Sequence, residues 1–330
     1  MCLYYCVSIF SFIKSLWKFD KKGSSEYNYI VEFWNSYFIL LWFFLMFDVS
    51  SDLVELLSAT DWLEKLRNQF KDGRYRNMDY WFFSPKKSFY DTKKYPLIIF
   101  IHGLAHGWHE RSQIDDSYFP YMISEEIQSK FREWWAHVLL PRIPEYMFDV
   151  FYTSKIQWLI NSYVKKYEKN IDMDQIYIMW SSAGGWMAWR LLIRNPKFYS
   201  KALITCANKL PSKKQLKVVS DKPIWLVAAK KDPIIPFFSQ KMTWNRLKRF
   251  TKLKKSCRFT VFKSKVYCPD GKKLKNPHLL SKVISYDFCM LNKSNPVINY
   301  DWVNYPGTET ILATDEKIST NGIINWLQNF

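Results

Sequence analysis

The chain has 330 residues, 48% of them apolar and 19% aromatic, with a formal net charge of +18. That length suits one large α/β domain plus an appendage, and the apolar content is enough for a sizeable core, which excludes a disordered or fibrous chain. The densest basic run, residues 248–255, has little interleaved aromatic character, so the positive charge reads as a lysine-rich solvated surface and nucleic acid is not an expected partner.

Residues 1–50 differ from the rest. Met1 to Phe12 is mostly apolar, Lys14, Lys18, Lys21 and Lys22 follow, and Tyr37 to Phe47 is apolar without a break. Extended back to Tyr29, this stretch is about long enough to cross a bilayer, with Glu32 and Asn35 inside it. The lysines ahead of it and Asp48 and Asp52 behind it orient the N-terminus toward the cytoplasm. Residues 29–47 are therefore expected to associate with a membrane as a signal anchor, which places residues 51–330, the second domain, outside the cytoplasm. A hydrophobic helix packed on a domain that is then cytoplasmic, or an uncleaved or mis-assigned leader, is the other reading.

Ser51 to Phe70 has helical periodicity in Leu53, Val54, Leu57, Trp62 and Leu66. Tyr80 to Phe83 reads as a strand ended by Ser84-Pro85. Tyr95 to Ile101 is an unbroken apolar run, as a strand buried on both faces requires, and leads into the loop His102-Gly103-Leu104-Ala105-His106-Gly107. Helical portions are expected within Ile123 to Trp134, a strand at His137 to Leu140, and an amphipathic helix from Phe151 to Lys169. A strand ends near Ser181, and a helix follows it through Met187, Ala188, Leu191 and Leu192. Ala202 to Cys206 and Pro223 to Ala229 are further buried strands, Phe237 to Phe250 a helix, Arg258 to Phe262 a short strand, and Gly322 to Phe330 a closing helix. Strands alternating with helices predict a mostly parallel central sheet with helices on both faces.

One stretch carries chemistry. In Gln175 to Gly185 an apolar run ends abruptly in Ser181-Ser182-Ala183-Gly184-Gly185. A sharp turn there holds a serine hydroxyl at a helix N-terminus, where the helix dipole and leading amides favour an oxyanion. Strand, turn and helix are the setting of a nucleophile elbow, whose pattern is Gly-x-Ser-x-Gly. Trp180 stands at the first glycine.

A nucleophilic serine needs a base for its proton and a carboxylate to orient that base. Asp232 follows a later strand, in Lys231-Asp232-Pro233. Of the five histidines, His102, His106, His109 and His137 precede Ser182, and only His278 completes the order Ser, Asp, His. The candidate catalytic set is Ser182, Asp232 and His278, with the backbone amides of Leu104 and Ala183 as oxyanion donors and His102 holding the Leu104 loop. His106 and His109 are candidates for the cleft wall. No cofactor or metal is expected, since Cys2, Cys6, Cys206, Cys257, Cys268 and Cys289 show no metal-ligand or redox spacing. Cys257 and Cys268 are a bridge candidate only in an exported domain. Otherwise they are free buried thiols.

From about Asp79 onward the chain resembles the α/β-hydrolase superfamily, and within it the bacterial esterases related to polyhydroxybutyrate depolymerases and feruloyl esterases. The resemblance rests on Tyr95 to Gly103, on Asp174 to Ile178 with Ser182 to Gly185, on Pro223 to Trp225 with Lys231 to Pro233, and on Tyr267 to His278. It implies an α/β-hydrolase fold, Ser182 as nucleophile, Asp232 as acid, His278 as base, and a small-molecule or polysaccharide-linked ester as substrate. Trp108 and Trp134 are candidates to stack on sugar or phenolic groups. Trp180 and Pro277 depart from the family pattern. Family members place glycine at the position of Trp180 because space behind the elbow is tight, so a large ring there puts activity in question, and a catalytically inactive, membrane-tethered binding protein on the same scaffold is the alternative.

Overall fold

Leu97, Ile98, Ile99 and Ile101 are all fully buried, because their strand has neighbours on both sides and covered faces above and below. The computed structural model describes residues 61–85, 92–103, 122–123, 125–128, 135–143, 150–207, 210–263, 278, 308–318, 323 and 326–327. The expectations for residues 1–50, including the anchor at 29–47, lie outside them. No helix among the described residues is long and apolar enough to cross a membrane.

The described elements run α1 (Asp61–Arg67), β1 (Lys71–Tyr75), β2 (Met78–Phe83), β3 (Tyr95–Ile101), α2 (Glu125–Gln128), β4 (His137–Pro141), α3 (Val150–Lys166), β5 (Ile171–Ser181), α4 (Ala183–Arg194), β6 (Lys201–Thr205), α5 (Lys213–Val218), β7 (Ile224–Ala229), α6 (Phe237–Phe250), β8 (Arg258–Phe262), β9 (Thr308–Leu312) and β10 (Lys317–Ile318). The strands form one sheet in the order β1-β2-β4-β3-β5-β6-β7-β8-β9-β10. From β4 to β8 all neighbours are parallel, and antiparallel pairs close both margins.

Alternation along each strand sends side chains to two faces. On one face Ile99, Ile101, Ile178, Trp180, Ile204 and Leu226 share a core with Ile156 and Ile160 of α3 and with Met187, Leu191 and Leu192 of α4. On the other face Trp225 meets Trp326 of the C-terminal segment edge-on, with ring centroids 5.4 Å apart. Lys201 donates from Nζ to the main-chain oxygens of Trp326 and Leu327, so the buried cation meets buried carbonyl acceptors.

Three features were not expected. β1 is polar and mostly exposed, so it has no hydrophobic signal. It is held by a two-residue turn in which Arg76 and Asn77 both have positive φ, 45° and 63°, the backbone a tight hairpin requires. β9 and β10 form the other margin through antiparallel pairs. The short α5 carries a Ser212–Gln215 capping box. Cys257 is a free, buried thiol, within reach of the Thr251 hydroxyl at 3.2 Å.

The order β4-β3-β5 means that the chain leaves β3 in one direction and returns to fill the other side. The ends of β3 and β5 therefore flank the point where the winding reverses, where open α/β sheets place their ligand crevices.

Candidate active site

Ser182 sits between β5 and α4 with φ 57° and ψ −123°, a left-handed conformation that a serine adopts only when its surroundings impose it. The imposing contacts are visible. The Ser182 N–H donates to the Thr205 carbonyl on β6 at 3.0 Å, and the Gly185 N–H donates to the Ser182 carbonyl at 2.9 Å. A Cβ on Gly184 would come within 2.5 Å of the Ile101 carbonyl oxygen and 2.6 Å of that of His102. One on Gly185 would meet the Ala207 Cβ at 2.7 Å. The glycines are required because the first turn of α4 lies directly on the ends of β3 and β6.

As the residue ahead of α4, Ser182 would ordinarily turn its hydroxyl back onto the helix amides. It makes no such cap. Its Oγ lies 2.8 Å from Nε2 of His278 instead. Nδ1 of the same ring is 2.9 Å from Oδ2 and 3.1 Å from Oδ1 of Asp232. The structure thus brings together Ser182, His278 and Asp232, which lie 96 and 46 residues from one another along the chain.

Asp232 follows β7, and its Oδ1 also accepts the N–H groups of Ile234 and Ile235, each at 2.8 Å. Its side chain is 2% exposed and that of His278 6%. Burial pushes the Asp232 carboxyl upward, but the hydrogen bond and charge of His278, with the Ile235 and Ile234 amides, outweigh it and hold the carboxyl below its ordinary value. A carboxylate facing Nδ1 requires that nitrogen to carry the proton. Nε2 is then the acceptor, and Oγ–H the donor.

Ala183 is the first residue of α4. Its amide has no intrahelical acceptor, by position alone. Leu104, His106, Trp108, His109 and Trp134 lie outside the described residues. His102 is described and fully buried. Its Nδ1–H donates to the Gly103 carbonyl at 2.6 Å, and its Nε2 accepts the Ile143 N–H at 3.0 Å. The ring ties the end of β3 to the end of β4. Burial lowers its pKa to about 4, which keeps it neutral and leaves Nε2 free to accept.

Trp180 does not crowd the turn. It lies in register with Ile101 on β3 and Ile204 on β6, and its ring goes into the core face shared with α3 and α4. The elbow's hydrogen bonds form beside it. The cost is an indole N–H buried without a partner.

Sequence reasoning passed over Cys206, the residue after β6. A free buried thiol at a strand end carries no motif, and only the fold reveals its neighbours. Its Sγ, an Asp232 carboxylate oxygen and a His278 ring nitrogen all lie within 4.8 Å of one another. The ligand types suit a borderline-soft divalent ion, although the aspartate and the imidazole are already spent on each other.

No protein-family model and no curated protein sequence matches the chain. Solved structures do. A thermostable esterase aligns with a TM-score of 0.55 at 20% identity, over 68% of this chain and 61% of that one. The acylaminoacyl peptidase of Pyrococcus horikoshii aligns with a TM-score of 0.45 at 14% identity, over 70% of this chain and 42% of its own. The enterobactin esterase of Shigella flexneri aligns with a TM-score of 0.46 at 14% identity, over 66% and 58%. The chain thus spans about three fifths of the thermostable esterase, and the likeness is one of fold.

Proposed function

We propose that this chain, whose fold is that of the α/β-hydrolases, is a serine hydrolase that cleaves carboxylic esters through an acyl-enzyme. The single observation that carries the reading is the unbroken chain of hydrogen bonds from the Ser182 hydroxyl through His278 to Asp232, at 2.8 and 2.9 Å. The ester as substrate class rests on the thermostable esterase that shares the fold.

His278 Nε2 takes the Ser182 proton as Oγ attacks the ester carbonyl. The imidazolium that forms keeps its Nδ1–H on Asp232, whose charge stabilises it. The tetrahedral oxyanion is met by the Ala183 amide at the start of α4 and by the Leu104 amide beyond Gly103. His278 then returns the proton to the leaving alcohol, and the acyl group stays on Oγ. Water, deprotonated by the same nitrogen, releases the acid. The left-handed backbone at Ser182 serves this sequence by directing Oγ toward the imidazole and away from its own helix.

Labelling by a fluorophosphonate probe tests the reading. Wild-type protein is expected to be labelled and Ser182→Ala not. Hydrolysis of short-chain p-nitrophenyl esters is expected to follow the same pattern, and equal rates in the two proteins would refute the mechanism.

A further inference from the structure

The end of the sheet away from Ser182 holds a groove of about 880 Å³. It lies where three parallel strands begin: Lys94 precedes β3, Met173 stands near the start of β5, and Phe198 comes shortly before β6. Its floor is apolar. Val164 is buried, Phe198 is half-buried against the Tyr199 ring at 5.0 Å, and Met173 is 44% exposed. Lys94, Lys165 and Lys169 stand around this floor, all of them exposed. None of the three is in an ion pair among the described residues, not even with the neighbouring Glu168. The last turn of α3 accounts for Lys165, because a helix C-terminus favours cations. It does not account for Lys169 beyond the helix, or for Lys94, which another segment brings to the same rim. Three ammonium groups against one carboxylate leave a positive rim over an apolar floor, and such a rim attracts anions.

We propose that this groove is a binding site for a single-chain anionic amphiphile, an alkyl carboxylate with its head among the three lysines and its chain along Val164, Met173 and Phe198. Charge and shape choose this occupant together. An acidic peptide would lay its own amide groups on apolar side chains that leave them unpaired. A planar bilayer would meet the rim without reaching the floor of a concave site. One alkyl chain covers the floor with no polar group, while its head stays in water beside the lysines, whose stems extend the apolar wall. The site lies apart from Ser182, Asp232 and His278 and goes beyond the hydrolase reading without resting on it.

Calorimetric titration of the full-length chain with octanoate, decanoate and dodecanoate, each below its micellar concentration, tests the proposal. Affinity is expected to rise about two- to fourfold per added methylene. Lys165→Glu combined with Lys169→Glu, both on the surface, is expected to weaken decanoate at least about 10-fold with an unchanged unfolding midpoint, and Met173→Gln to flatten the dependence on chain length. Octyl glucoside, with a chain but no charge, should bind at least about 10-fold more weakly than octanoate. A carboxylic acid is also the product of the proposed reaction, so the titration is repeated after a fluorophosphonate has blocked Ser182, and binding is expected to survive the block. Lysine variants that bind as the wild type does, affinity indifferent to chain length, binding lost on blocking Ser182, or capture by phosphatidylglycerol vesicles without binding of the monomeric acids would each overturn the proposal. If the fluorophosphonate labels nothing, the hydrolase reading falls, while the lysine variants still decide the groove.

Discussion

The N–H of Ser182 is bonded to the carbonyl of Thr205, 3.0 Å away on the neighbouring strand. Ser182 therefore does not hold its left-handed backbone alone. The sheet holds it from β6, and the Gly185–Ala207 contact presses the following helix onto the same strand end. Gly185→Ala puts a methyl 2.7 Å from the Ala207 Cβ and 2.8 Å from its Cα, so one backbone must move. We expect a loss of about 1–3 kcal/mol of stability and a fall in kcat of at least about 10-fold, since an Oγ displaced by even 1 Å leaves reach of His278. Ala207→Gly in the same chain should recover part of both, as measured by thermal unfolding and ester turnover.

Asp232→Asn separates orientation from structure. The Asn carbonyl oxygen can still accept the Ile234 and Ile235 amides, so the loop after β7 should keep its shape. The amide NH₂ then faces Nδ1, which can no longer donate. The imidazole is driven to the tautomer with hydrogen on Nε2, and that nitrogen cannot accept the Ser182 proton. Turnover is expected to drop on the order of 10³–10⁴-fold with the unfolding midpoint changed by only a few degrees. A drop smaller than about tenfold would remove Asp232 from the mechanism.

How far the sequence could be read follows from where the signals lie. β3 and β7 were legible because a strand buried on both faces must be apolar throughout. Ser182 was legible because Gly184 and Gly185 mark a place with no room for a Cβ. Asp232 and His278 were legible only through their order along the chain, since an aspartate before a proline and a lone loop histidine fit many surfaces. β1 escaped because an exposed margin strand needs no apolar residues. The effect of Trp180 stayed open for a different reason. Sequence gives the size of a side chain but not its face, and this ring lies in the core beside Ile101 and Ile204.

Acid should destabilise the fold through its buried histidines. Burial lowers the pKa of both His102 and His137 from 6.5 to about 4. Between those values the unfolded chain binds protons that the folded chain refuses, so stability is intact above about pH 6.5 and is lost as the pH falls toward 4. Each ring contributes on the order of 3 kcal/mol across that window. His137 is the better probe, because its Nε2 is buried without a partner and its Nδ1 makes a long 3.3 Å contact with Tyr163. His137→Phe, beside the rings of Tyr163 and Tyr167, should flatten the fall of the unfolding midpoint between pH 6.5 and 4.5 by about half. An unchanged slope would mean that His137 does not titrate as its burial implies.

Restoring the glycine of the elbow pattern is expected to harm the protein. Trp180 is 2% exposed and fills the core between β5 and α4, so Trp180→Gly opens a cavity the size of an indole beneath the nucleophile. Removing a buried large aromatic costs about 3–5 kcal/mol, and a glycine within β5 adds about 0.5–1 kcal/mol. Against this stands only the relief of one unpartnered indole N–H, worth about 1–3 kcal/mol. The variant should unfold well below the wild type and turn over more slowly wherever both are folded, as the floor under Ser182 loosens. Trp180→Phe keeps most of the volume and loses the orphan donor, so it should lie between the two in stability with nearly unchanged kcat. If Trp180→Gly were instead the faster enzyme, the tryptophan would be an obstacle to the elbow rather than its support.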